Sequence, residues 1–222
     1  MPKNTFNGGQ KRRKPRKAKS KNGQQDQRLS KLEKLVMPAI EYKSKDQINP
    51  DWTVSTTGRA NYPMFALEQG DNNNERIGDK VTLLSHNISC TLRKGDLSNI
   101  IRVLWVVTPS TTAIGVSDVL EYSNFTAHSD LVFTSPYKRR ASTSETTFRV
   151  LFDKVYHFSE EVNTITDRYQ LIPAKNGKQV QFNTVGSSMP DNYQLVMMAI
   201  SDSAAAAHPA LSVCCRSRYY DL

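Results

Sequence analysis

The chain has 222 residues, with 30 Lys/Arg against 21 Asp/Glu and a net charge of +9 at pH 7. That length suits one domain of ordinary size plus a tail. No run approaches the ~18–20 apolar residues of a membrane span, and the basic N-terminus lacks the apolar stretch of a secretory signal. A product that is intracellular when made, with no membrane insertion, is therefore expected.

The location of the charge says more than its size. Residues 1–28 hold ten Lys/Arg and one acid, Asp26, for +9, and the remaining 194 hold twenty of each sign, for zero. A neutral body with one basic tail points to a polyanion met by the tail. Residues 1–27 are Lys, Arg, Gln, Asn, Gly and Ser with one aromatic, Phe6, a composition that predicts a disordered arm. Its candidate phosphate-binding residues are Lys11, Arg12, Arg13, Lys14, Arg16, Lys17, Lys19 and Lys21, with Arg28 beyond. Paired with phosphates they release counterions, the usual source of sequence-independent affinity for nucleic acid. With almost no aromatic residue to stack on bases, base-specific readout by the arm is not expected. A solubilising tail is the plainer reading, and a nuclear-import signal uses the same residues.

Leu29, Leu32, Leu35 and Val36 recur at helical spacing, with Asp26 able to cap the start and Pro38 to stop it. A helix of about twelve residues is marginal alone in water, so it should bury its stripe. Docking on its own domain and association with the same helix of other copies both satisfy that need. Residues 28–45 are read as this arm helix and a linker, and 46–222 as the folded domain.

Trp52-Thr53-Val54 and Met64-Phe65-Ala66-Leu67 predict short strands separated by Gly58 and Pro63. Gln69 to Asp79 holds seven Gly, Asn or Asp residues and predicts a tight, well-specified loop. From Leu84 to Leu92 every even position except His86 is apolar and every odd one polar, which is a half-buried strand. After a turn, Ile100 to Val107 has one polar residue in eight, Arg102, and reads as a strand buried on both faces. Ser117 to Tyr122 predicts a short helix capped by Ser117. Ser123 to Thr147 reads as a long irregular loop. It carries Tyr137, Lys138, Arg139 and Arg140, either a solvated loop or a further basic contact with genome or receptor.

Phe148, Val150 and Phe152 alternate with Arg149 and Asp153 in a strand that extends through Val155, Tyr156 and Phe158. Asn176-Gly177 signals a hairpin ahead of Val180 and Phe182. Tyr193 to Ile200 is a second two-sided strand. Leu211, Val213, Cys215 and Tyr219 alternate with Ser212, Arg216 and Arg218 in the last. Eight or nine strands with no long helix in the body and no internal repeat predict two sheets folded as a jelly roll.

The run Gln69-Gly70-Asp71, Arg76, Gly78 to Val81 and Leu84-Ser85-His86, then Arg102 to Trp105, carries a resemblance. It continues through Asp118 to Glu121, Asn124-Phe125, Phe148 to Leu151 and Asp153, then Asp167-Arg168, Leu171 and Pro173. In order and spacing these residues resemble the single jelly-roll capsid proteins typified by satellite tobacco necrosis virus coat protein and by those of small circular single-stranded DNA viruses. The resemblance implies an all-β, eight-stranded antiparallel jelly roll of the viral coat type. It implies self-association into the smallest icosahedral shell, T=1, of about sixty copies, with the arms turned inward on a single-stranded DNA or RNA genome. It also favours arm helices meeting at a symmetry axis. A virion is the expected location, with host cytoplasm and nucleus during assembly; an import receptor and a cell receptor are the implied host partners. Calcium between subunits is a family property, but no ligand set here maps to it, and calcium stays unassigned.

Nothing in the sequence supports catalysis. His86, His128, His157 and His208 form no metal-ligand spacing, and there is no nucleophile elbow, Walker loop or dinucleotide fingerprint. His86, at an inward strand position, is expected to be a hydrogen-bonded core histidine. Asp71, Asn73 and Glu75 echo an EF-hand start, but Arg76 stands where its Gly must be. Cys90, Cys214 and Cys215 read as reduced, mostly buried thiols, with no cofactor. The rival is a non-capsid nucleic-acid-binding β-protein with a basic tail. It would need basic and aromatic residues grouped on one exposed strand face, and Arg216, Arg218, Tyr219 and Tyr220 are read as lying on alternating faces. A lectin-like or hydrolytic jelly roll is the remaining alternative.

Overall fold

The computed structural model describes residue 25 and residues 28–32, 42–61, 63–109, 113–138, 147–183, 186–204 and 207–221. The chain divides into two compact units, 1–40 and 41–222. In the first, residues 25 and 28–32 are helical. Among the described residues no helix is long and apolar enough to cross a membrane.

The described residues of the second unit form nine strands: β1 (Lys43–Thr53), β2 (Arg59–Asn61), β3 (Lys80–Arg93), β4 (Asn99–Thr108), β5 (Arg149–Phe158), β6 (Thr164–Leu171), β7 (Lys178–Gln181), β8 (Gln194–Ser201) and β9 (Ala210–Asp221). Two short helices, α1 (Val116–Val119) and α2 (Phe125–Val132), lie between β4 and β5. One sheet runs β1-β9-β3-β6 with β7 also on β3, and the other runs β2-β8-β4-β5. All pairs are antiparallel. With β7 set aside, first pairs with last throughout: β1 with β9, β2 with β8, β3 with β6, β4 with β5. Four strands out and four back, rolled into two facing sheets, are the eight-stranded antiparallel jelly roll.

The main core lies between the sheets, with Leu83, Ile88 and Leu92 of β3 facing Ile101, Val103 and Trp105 of β4 and Leu195 and Met197 of β8. A second core lies on the other side of the four-stranded sheet. There Leu104, Val106, Val196, Met198 and Ile200 pack against Ile114, Val116, Val119, Leu120 and Val132. The apolar runs of β4 and β8 are thereby buried on both faces, as their sequences require. Arg102, the polar residue within the apolar run of β4, makes a bidentate pair with Asp153 (Nε–Oδ1 2.9 Å, Nη2–Oδ2 2.6 Å) and donates to the Val132 carbonyl at 2.9 Å.

Bulges change the phase of the alternating strands. In β3 one lies between Leu83 and Ser85, so Val81 and Leu83 point inward before it and His86, Ile88, Cys90 and Leu92 after it, with Leu84 only half-buried. Where Trp105 and Val106 face Phe152 and Val150, Leu151 is the extra residue. Phe148 and Val150 join the outer core while Leu151 and Phe152 join the inner one. Such bulges bend the strand and reassign its faces.

Several expectations are corrected. Strand β1 spans Lys43–Thr53 and not only the three residues around Trp52. Met64 to Leu67 is buried but is no strand, held by Met64 N–H to the Leu195 carbonyl (2.9 Å) and Leu67 N–H to the Ser188 carbonyl (2.8 Å). The first short helix starts after Gly115 and not after Ser117; Asp118 Oδ2 accepts from Gly115 N–H at 2.7 Å. The expected loop from Ser123 contains α2, capped by Asn124 Oδ1, which accepts from the N–H groups of Thr126 and Ala127. Strands β6 and β7 form no hairpin: each pairs with a different half of β3, and Gly177, at φ +84°, closes a turn in the excursion between them. Strand β6 adds to the strands expected from the sequence.

Candidate nucleic-acid interface

Lys11 to Lys21 lie outside the described residues, as do Leu35, Val36, Arg139 and Arg140. Arg28 is exposed on the helical stretch 28–32, and Leu29 and Leu32 there are each 57% exposed. Lys138 is exposed at the end of an anchored segment: its N–H donates to the Val119 carbonyl at 2.8 Å, and the neighbouring Tyr137 hydroxyl donates to Asp153 Oδ2 at 2.7 Å. Burial and the Asp153 carboxylate push the Tyr137 phenol up to about 12.

A basic surface on the body comes from the outer face of the five-stranded sheet. Alternation along β9 turns Leu211, Val213, Cys215, Ser217 and Tyr219 inward and Ser212, Cys214, Arg216, Arg218 and Tyr220 outward. The alternating-face reading is therefore corrected: Arg216, Arg218 and Tyr220 share one face, and only Tyr219 is turned away. The register sets them beside Ser44 and Asp46 of β1, Thr82, Ser85 and Asn87 of β3, and, one strand further, Arg168 and Gln170 of β6. Arg216 makes a bidentate pair with Asp46, both bonds 2.7 Å, and this holds the Asp46 carboxyl below its usual range. Arg93 faces Asp51 at 3.3 Å. Arg168, Arg218 and Lys80 form no ion pair among the described residues. Tyr42, 50% exposed, meets Tyr220 edge to face with ring centroids 6.0 Å apart.

His86 is the core histidine expected of it. It is 0% exposed, its Nδ1 is 2.7 Å from Ser217 Oγ and its Nε2 is 2.9 Å from Tyr193 Oη. Burial pushes its pKa down to about 3, and the same burial pushes the Cys215 thiol up to about 12. The Ser217–His86 pair superficially matches a nucleophile and base, but both residues are closed to solvent. Cys90, Cys214 and Cys215 are all free thiols, with Cys90 and Cys215 buried.

The Gln69–Asp79 loop closes on a cation of its own. Arg76 is fully buried, donates to the carbonyls of Gly78 (2.7 Å) and Ser187 (3.1 Å), and lies 4.4 Å over the Phe182 ring. A buried guanidinium here disfavours a calcium ion at the same place. Among the described residues no group of three or more His, Cys, Asp or Glu could hold a metal.

No protein-family model and no curated protein sequence matches the chain. Among solved structures it is similar to that of Desmodium yellow mottle tymovirus, with 10% identity over 82% of this chain and 88% of that one and a TM-score of 0.36. It is also similar to the structure of infectious bursal disease virus Gx strain (10% identity, 81% of this chain, 40% of that one, TM-score 0.20) and to infectious bursal virus derived T=1 particles (9%, 81%, 40%, 0.18). The chain spans 40% of the length of each of those last two. The jelly-roll assignment rests on the strand order itself.

Proposed function

We propose that this chain is a viral capsid protein whose jelly-roll bodies associate into a small icosahedral shell, T=1, and whose arm neutralises a packaged single-stranded genome. The observation that carries this reading is the charge partition: residues 1–28 hold the whole net +9 and the other 194 sum to zero. Many copies of a neutral body can close a wall without repelling each other, while each copy contributes a cationic segment to the enclosed polyanion. A jelly roll supports it by supplying a body whose two sheets close on their own core, and the residue pattern resembling satellite-virus and circular-DNA-virus capsid proteins supports it further. Lys11, Arg12, Arg13, Lys14, Arg16, Lys17, Lys19, Lys21 and Arg28 contact phosphates, and Leu29, Leu32, Leu35 and Val36 join arm helices of neighbouring copies. The virion is the site of action.

If all ten basic groups of residues 1–28 engage a single strand, the logarithm of affinity falls with the logarithm of salt at a slope of roughly −7. Deleting residues 1–28 is expected to leave the body folded and its particles free of nucleic acid. A deletion variant that still packages nucleic acid contradicts the proposal. The grouping of Arg216, Arg218 and Tyr220 on one face favours a second reading, a nucleic-acid-binding β-protein that forms no shell. Particle formation separates the two.

A further inference from the structure

We propose that the outer face of the five-stranded sheet is a second contact for single-stranded nucleic acid, made by the folded body as a supplement to the arm and too weak to package nucleic acid without it. The proposal rests on the reading that the chain's polyanion partner is a nucleic acid, and it assigns that partner a place on the body.

Three observations carry it. First, this face lacks the helical cover of the other: the outer face of the four-stranded sheet is covered by α1, α2 and the segments around them, whereas this one keeps Arg168, Gln170, Arg216 and Arg218 exposed, with Thr82 and Ser85 buried between the strands. Second, its charge is uncompensated. The face carries Lys80, Arg93, Arg168, Arg216 and Arg218 against Asp46 and Asp51, and those two acids are engaged by Arg216 and Arg93. Lys80, Arg168 and Arg218 are left without a carboxylate among the described residues, in a body whose overall charge is zero. Third, cations, rings and neutral donors are ordered along one direction. Following β3, the rows hold Lys80, then Thr82 with Tyr220, then Ser85 with Arg218, then Asn87 with Arg216 and Gln170, then Ser89 with Cys214 and Arg168. At the rise of a strand these rows span roughly 30 Å, several nucleotides of a single strand. A shallow groove of about 480 Å³ runs between Arg168, Arg216, Asn87, Ser89 and Cys214.

That composition fits a strand of nucleic acid better than an acidic peptide. Isolated guanidinium and ammonium groups meet phosphates, the accessible Asn87, Ser89 and Gln170 supply neutral donors between them, and Tyr42 and Tyr220 present rings on which bases stack. An acidic peptide has no use for the rings.

The test measures binding of the full chain to poly(dT) as a function of salt, for the natural protein and two triple variants. Lys80→Gln with Arg168→Gln and Arg218→Gln neutralises the face. Lys11→Gln with Arg12→Gln and Arg13→Gln neutralises part of the arm. Each triple is expected to reduce the magnitude of the salt slope by about 2, since each lost phosphate contact removes about 0.7. A face triple with an unchanged slope beside an arm triple with a reduced one overturns the second contact and leaves the packaging reading standing. An arm triple with an unchanged slope counts against the packaging reading instead. A face triple that alters only self-association also overturns the proposal, by making the face a contact between copies. Photo-cross-linking of bromodeoxyuridine-substituted oligonucleotide to the natural chain gives a readout free of variants. Cross-links at Tyr42 or Tyr220 are expected, and cross-links confined to residues 1–28 overturn the proposal.

Discussion

The two sheets of this jelly roll solve the same problem with opposite outer faces. The four-stranded sheet is packed on both sides, and its central strands β4 and β8 are almost wholly apolar. The five-stranded sheet is packed on one side, and its strands alternate between core residues and Ser, Thr, Asn, Gln and Arg. A polar residue means different things on the two. On the covered face Arg102 needs a bidentate carboxylate and a carbonyl to be tolerated, whereas on the polar face Arg168 and Arg218 remain exposed and available. One outer surface is covered and apolar, and the other stays accessible and polar.

That contrast can be broken by substitution. The largest effect is expected for Arg102→Ala, which leaves the half-buried Asp153 carboxylate with the Tyr137 hydroxyl alone. Loss of one member of a buried pair costs about 3–5 kcal/mol, read as a drop in the urea midpoint. Val106→Ala, on the same covered face, should cost about 2 kcal/mol by removing buried methyl groups and leaving a cavity. If this face were exposed in solution, that variant would be neutral.

Next comes acid sensitivity between the sheets. The folded pKa of His86 lies near 3 and the unfolded value near 6.5, so the unfolded state binds the extra proton. Stability is therefore full above about pH 6.5 and falls as pH drops toward 3. Between pH 7 and 5 the loss should be about 2 kcal/mol, and His86→Asn should flatten it. The carboxyls of Asp46, Glu75 and Asp167 are also held low by their hydrogen bonds, but their contributions are lost only below the ordinary carboxylate range. Denaturation curves at both pH values check this. The smallest effect belongs to the polar face: Arg216→Gln removes only an exposed pair, and no shift of the urea midpoint is expected.

The sequence made some of this architecture legible for clear reasons. Short, β-branched or aromatic apolar runs such as Ile100–Val107 and Tyr193–Ile200 favour two-sided strands, and period two from His86 to Leu92 and from Leu211 to Tyr219 marks the half-buried ones. Strand β1 was largely hidden because KSKDQINPDWT is polar, interrupted by Pro50 and bulged, and is held at the sheet edge by backbone pairing to β9. Helix α2 was hidden because its pattern is short and kinked at His128, although Asn124 gave a capping signal. The basic arm is conspicuous in sequence because its charges are contiguous. The basic face is not, since Lys80, Arg168 and Arg218 come from three strands and meet only through register. Period two along β9 alone would have placed Arg216, Arg218 and Tyr220 together.

The most direct test of the central claim is electron microscopy of the purified full chain with the 260 to 280 nm absorbance ratio of the same sample. Uniform small spheres with a nucleic-acid-rich ratio are the predicted result. A monodisperse small species, at low salt and with single-stranded nucleic acid supplied, would contradict the capsid account.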